Sequence, residues 1–176
     1  MYRILIVDDE ENIVNALKRC LRKVDDWEVK IFTSAAEALQ YARSISFDLF
    51  ISDFRMPEMN GVEFLSEIKK IQPNSARIIL SGYTDLEALL GAINEAEIFR
   101  FISKPWNDYE LILTIEQALK YKDMLTENTF LAKQVREQND KLTIAEKVFS
   151  KLEKESPGIT KVNWSEDGSI TIDEDD

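Results

Sequence analysis

The chain has 176 residues, with 33 Asp and Glu against 22 Lys and Arg, a formal net charge of −11 and no histidine. That length suits one globular domain with an appendage rather than two full domains. The acidic balance, without a basic stretch, disfavours binding to nucleic acid, and the missing imidazole excludes histidine metal ligands, histidine bases and a phosphohistidine on this chain.

The opening run, Ile4 to Val7, is short, rich in β-branched residues and closed by Asp8 and Asp9. It is too short for an anchor and lacks the layout of a signal peptide. Similar runs recur at Val29 to Phe32, Phe47 to Ile51, Ile78 to Leu80 and Phe99 to Ile102. Between them lie helical patterns over 11–23, 34–44, 61–71, 84–95 and from 107 onward. Strand and helix in alternation predict an α/β fold with a parallel sheet. Apolar strands without a polar face predict a sheet covered on both sides. The commonest five-stranded solution is flavodoxin-like and doubly wound, order 2-1-3-4-5, with its site outside the carboxyl ends of the strands. Cys20 and the three Trp are most simply core residues; a lone thiol and no membrane span suit the cytoplasm.

Leu111 to Leu152 contains neither Pro nor Gly and predicts one long helix, or two. One heptad frame places Thr114, Tyr121, Asn128, Val135, Leu142 and Phe149 at a, and Gln117, Met124, Leu131, Gln138, Ala145 and Leu152 at d. Met124, Leu131, Val135, Leu142, Phe149 and Leu152 form the apolar part of this seam, which suggests a coiled coil and a homodimer. The alternative is a helix that covers the sheet to about 121 and is solvated beyond. Ser156-Pro157-Gly158 stops the helix. Val162 and Trp164, then Asp167-Gly168, then Ile170 and Ile172, predict a β-hairpin before an acidic tail that reads as a finished terminus. The expected organisation is a main domain over 1–121, a helical extension over 122–155, and a hairpin with tail over 156–176.

In the doubly wound order Asp8 and Asp9 end the first strand and Asp53 ends its neighbour. Carboxylates so gathered need a cation, and hard oxygen ligands suit Mg²⁺, or Mn²⁺. A carboxylate also serves as a nucleophile toward phosphorus. Lys104, before Pro105 at the end of the fifth strand, supplies an ammonium, and the Lys-Pro bond is a candidate for the cis form. Ser81 ends the fourth strand with a hydroxyl, and Gly82 beside it allows close backbone approach.

Four stretches carry a family resemblance: Ile6-Val7-Asp8-Asp9-Glu10, then Ser52-Asp53-Phe54-Arg55-Met56-Pro57-Glu58-Met59-Asn60-Gly61, then Leu80-Ser81-Gly82, then Phe101-Ile102-Ser103-Lys104-Pro105. Over residues 1–121 the chain resembles the receiver domains of two-component response regulators. The resemblance implies that Asp53 takes a phosphoryl group from a sensor histidine kinase or phosphotransfer protein in trans. It implies that Asp8, Asp9, Asp53 and the backbone carbonyl of Arg55 hold Mg²⁺, that Ser81, Gly82 and Lys104 bind the phosphoryl group, and that Ser81 and Phe101 form a switch. It further implies that Arg55 and Tyr83 flank the attacking water. Neither offers a carboxylate or amide to orient that water, so self-dephosphorylation should be slow. Ser81-Gly82-Tyr83-Thr84-Asp85, with Ile98 to Asn107, resembles receivers attached to cyclic-di-GMP phosphodiesterase or phosphatase-type output domains.

Each motif alone has a plainer explanation. Asp8 and Asp9 fit a strand end or cap, Asp53 a turn, Ser81 a cap, Lys104-Pro105 a loop and Phe101 the core. Their joint order favours the receiver and a phosphorylation-dependent protein interaction or dimerisation without DNA-binding output. Two other functions fit part of the pattern. A Mg²⁺-dependent aspartyl-phosphate phosphatase would want its two acids two apart on the first strand, where this chain has adjacent acids. A phosphorylation-independent scaffold would not need the intact acid set.

Overall fold

A computed structural model describes residues 1–82 and 96–157, and the backbone of 163–164 and 170–171. Its elements are β1 (Tyr2–Val7), α1 (Glu11–Leu21), β2 (Trp27–Phe32), α2 (Ala35–Ala42), β3 (Leu49–Asp53), α3 (Gly61–Ile71), β4 (Ala76–Ser81), β5 (Arg100–Ser103), α4 (Asp108–Glu155), β6 (Asn163–Trp164) and β7 (Ile170–Thr171). The first five strands form one parallel sheet in the order β2-β1-β3-β4-β5, the doubly wound order expected from the sequence.

Period-2 alternation divides the strand side chains between two cores. Leu5, Val7, Phe50 and Ile79 pack with Ala35, Ala38, Val62, Phe64, Leu65 and Ile68 from α2 and α3. Ile4, Ile6, Leu49, Ile51, Ile78 and Leu80 pack with Leu17 and Cys20 of α1 and with Leu111, Ile115, Ala118 and Leu119 of α4. Both faces of β3 and β4 are therefore covered, which is why neither strand has a polar side.

Strand edges differ slightly from the sequence reading. Phe47 lies before β3 and joins the core from a loop, where its backbone N–H donates to the Gln72 side-chain carbonyl at 2.8 Å. The same Gln72 amide nitrogen donates to the carbonyls of Ala42 and Ile45. One side chain thus satisfies the turn between α2 and β3, so the apolar run enters the strand two residues later than its composition suggests.

The chain divides into two compact units, Met1–Glu127 and Asn128–Asp176. In the first, the early turns of α4 cover the sheet. Near their end Lys122 pairs with Asp48 at 2.6 Å, the Tyr2 hydroxyl donates to Asp123 at 2.6 Å, and the Tyr121 ring lies 5.2 Å from that of Phe99. The second unit holds the rest of α4 and the antiparallel pair β6–β7, with Asn163 opposite Thr171 and Trp164 opposite Ile170. α4 is one uninterrupted helix to Glu155, ending at the predicted stop. No described helix is long and apolar enough to cross a membrane.

Candidate functional site

Backbone bonds that continue past the strands set the site. Asp8 N–H donates to the Phe32 carbonyl, Phe54 N–H to that of Leu80 and Lys104 N–H to that of Ser81, at 2.8 to 3.1 Å. The residues at the carboxyl ends of β1, β3, β4 and β5 are thereby held in register.

Asp8 is fully buried, Asp53 is 5% exposed and Ser81 1% exposed. The Lys104 ammonium lies between the two acids, 2.5 Å from Asp53 Oδ1 and 2.7 Å from Asp8 Oδ2, with Glu10 Oε1 at 3.9 Å. The Lys104–Pro105 peptide bond is cis. The other carboxylate oxygens accept backbone N–H groups: Asp53 Oδ2 from Arg55 at 2.8 Å and Asp8 Oδ1 from Glu10 at 3.0 Å. Asp9 is exposed, as is Arg55. Phe101 is half-buried and packs on the core shared with α3. Gly82 follows β4 and is half-buried. Tyr83 and the pattern over 84–95 fall outside the described residues.

Burial raises the Asp8 carboxyl above the usual carboxylate range, and hydrogen bonds from Lys104 and the Glu10 amide offset this only in part. Burial works against the Lys104 ammonium, but its contacts with Asp53 and Asp8 outweigh it and hold its pKa above the ordinary lysine value. One cation therefore serves two buried carboxylates, with two further acids, Asp9 and Glu10, at the rim.

This donor set fits a hard divalent cation: buried carboxylate oxygens with more negative charge than Lys104 neutralises. The acids are not drawn into a ready three-ligand cluster among the described residues, because Asp8 and Asp53 turn to Lys104 while Asp9 stays outward.

Gly61 plays a part that its place in the motif did not reveal. A Cβ at this position would overlap the Asp53 backbone carbonyl and stand 3.1 Å from Ser52 Oγ. Only glycine lets the start of α3 lie so close behind Asp53. The Ser52 hydroxyl donates to the same Asp53 carbonyl at 2.9 Å. Asn60 caps α3 in a reciprocal box with Glu63, which fixes the helix start against β3. The spacing from Asn60 to Glu63 was the available signal; the close approach of Gly61 needed the fold.

Residues 4–116 match the response regulator receiver domain family. The chain belongs to that family. HoxA of Cupriavidus necator, a hydrogenase transcriptional regulatory protein, is 39% identical over 117 residues, which are 66% of this chain and 24% of HoxA. The transcriptional regulatory protein FixJ of Rhizobium meliloti is 32% identical over 120 residues, 68% of this chain and 58% of FixJ. The chain thus spans about a quarter of the length of HoxA. Among solved structures, the signal receiver domain of an HD domain-containing protein from Pseudomonas fluorescens is 38% identical with a TM-score of 0.68, covering 72% of this chain and 92% of that one. A response regulator receiver domain from Clostridium thermocellum is 35% identical with a TM-score of 0.65, covering 71% and 99%.

Proposed function

We propose that this receiver accepts a phosphoryl group on Asp53 from the phosphohistidine of a sensor kinase or phosphotransfer protein, and that it signals by protein contact. The observation that carries the proposal is the Lys104 ammonium seated between Asp53 and the buried Asp8 at the ends of three strands. An Asp53 carboxylate oxygen attacks phosphorus, the donor's N–P bond breaks, and the electron pair leaves on the imidazole. Lys104 and the Ser81 hydroxyl take the phosphoryl oxygens, and the Arg55 N–H orients the acceptor carboxylate. Asp8, Asp9, Asp53 and the Arg55 carbonyl would hold Mg²⁺, or Mn²⁺, which when bound would neutralise charge on the transferring group. Ser81 and Phe101 then carry the change outward as a two-state shift. The protein acts as acceptor rather than turnover enzyme.

The net charge of −11 favours a protein partner over nucleic acid as the receiver of the signal. With Arg55 at the rim in place of an acid or amide, the phosphorylated form decays slowly. Intact-mass measurement after incubation with a small phosphodonor and Mg²⁺ tests the reading. The wild type gains one phosphoryl group, Asp53→Asn gains none, and chelation of the metal suppresses the gain. An Asp53→Asn protein that still takes up one group overturns the assignment, and an Asp53 phosphate lost within seconds overturns the slow decay.

A further inference from the structure

The second unit carries a surface that the acceptor chemistry does not use. In α4 beyond Glu127, Leu131, Val135, Leu142, Phe149 and Leu152 occupy one face at steps of four, seven, seven and three, and all are 40% or more exposed. Asn128, Gln138 and Ala145 fill the remaining positions of the same face and are also exposed. A helix this exposed is marginal alone, and apolar exposure in a stripe of this period marks a seam for another helix.

We propose that the occupant is a second copy of this chain, paired parallel and in register over Asn128 to Leu152. The proposal supplies a partner for the protein-contact output above, but stands on its own observations. The first is charge. Asn128 to Glu155 holds six Lys or Arg and five Asp or Glu, nearly neutral in a chain of net −11, so two such helices meet without strong repulsion. Among the residues that flank the seam in a parallel pair, Lys141 faces Glu146 of the partner helix. The other flanking pairs, Glu127 with Ala132, Gln134 with Asn139 and Val148 with Glu153, hold no like charges.

The second observation is where the two amides fall. In a parallel register Asn128 meets Asn128 and Gln138 meets Gln138, so each amide has a hydrogen-bonding partner inside the seam. An antiparallel pair covering the same stretch sets Asn128 against Leu152 and Gln138 against Leu142. A slide of one heptad either way leaves Gln138 against Val135 or Phe149. A two-heptad slide does bring Asn128 to Gln138, but it strips Phe149 and Leu152 of partners. Amides left against apolar side chains cost hydrogen bonds. Val135 at a, beside Leu131 at d, favours two strands over three.

The test uses the full chain with Val135→Cys and no phosphodonor. In the parallel pair the two introduced thiols face each other and mild oxidation gives a covalent dimer. In the full-length antiparallel pair each faces Ala145 of the other helix, and the thiols stand about 15 Å apart along the axis, out of reach of a disulfide. Wild-type protein, whose one thiol is the buried Cys20, is the uncross-linked control. Light scattering should give the mass of two chains, and Leu142→Asp should give one chain that still takes up one phosphoryl group. A single-chain wild type, a dimer that does not cross-link, or a mass above two chains each overturns the proposal. None of these outcomes touches the assignment of Asp53, which is read by phosphoryl uptake.

Discussion

At the carboxyl ends of the strands, one ammonium, Lys104, stands between the buried carboxylates of Asp8 and Asp53. At the amino ends, the buried Arg77 guanidinium donates to the carbonyls of Ala96 and Ser75 at 2.7 Å each and reaches Glu97 at 3.4 Å, while Lys122 pairs with Asp48. The amino-end charges are matched by local acceptors and close two turns. At the carboxyl end, negative charge exceeds the positive charge provided, and a buried acid is held above its ordinary range. One sheet thus keeps its fastening and its candidate site at opposite edges. Compensated charge marks the first and uncompensated charge the second.

Substitutions at the two edges should separate uptake from stability. Lys104→Ala removes the cation beside Asp53, and phosphoryl uptake from a small donor should slow by about 10² to 10³-fold. Uptake at the wild-type rate would break the comparison. Arg77→Met deprives the Ala96 and Ser75 carbonyls of a charged donor. Stability in urea should fall by about 2–3 kcal/mol, with uptake by the folded protein nearly unchanged. Gly61→Ala sharpens the boundary, because it acts on the chemical edge through packing alone. It should cost about 1–3 kcal/mol and also slow uptake, since the Asp53 carbonyl must move.

The pH dependence follows from Asp8. Its folded pKa lies above the unfolded value, so its contribution is fully present below the ordinary carboxylate range and is lost as pH rises through the folded value. In chelator at neutral pH, Asp8→Asn should therefore melt higher than the wild type, and the gap should close on acidification. A wild type that melts higher at neutral pH would contradict the uncompensated charge. The smallest effect is expected for Lys122→Ala, at or below about 1 kcal/mol, because both partners remain partly solvated.

Much of the sheet was legible because strands covered on both faces have no polar alternation to confuse with an amphipathic helix, and acids stop them. The strand order and the convergence of Asp8, Asp53, Ser81 and Lys104 followed from that topology. What escaped was contact between segments distant in sequence. Nothing around Arg77 announces that a guanidinium inside a strand will be buried under the Ala96–Glu97 turn. Nothing near Gln72 says that it will serve Ala42, Ile45 and Phe47. Asp8 and Asp9 look equivalent in sequence, yet Asp8, still tied to the sheet by its N–H on the Phe32 carbonyl, is buried, while Asp9, one residue further past β1, is exposed.

The backbone bonds that tie Asp8, Phe54 and Lys104 to the neighbouring strands have a consequence for change over time. The spacing of the site's side chains is inherited from the spacing of strands, which is nearly constant in any parallel sheet. Connecting segments on the far side of the molecule can therefore gain or lose residues without altering the span between Asp53 and Lys104. A single insertion within β3 or β5, by contrast, would turn every following side chain to the wrong face. The geometry leaves the connections free to change length and holds the strands fixed.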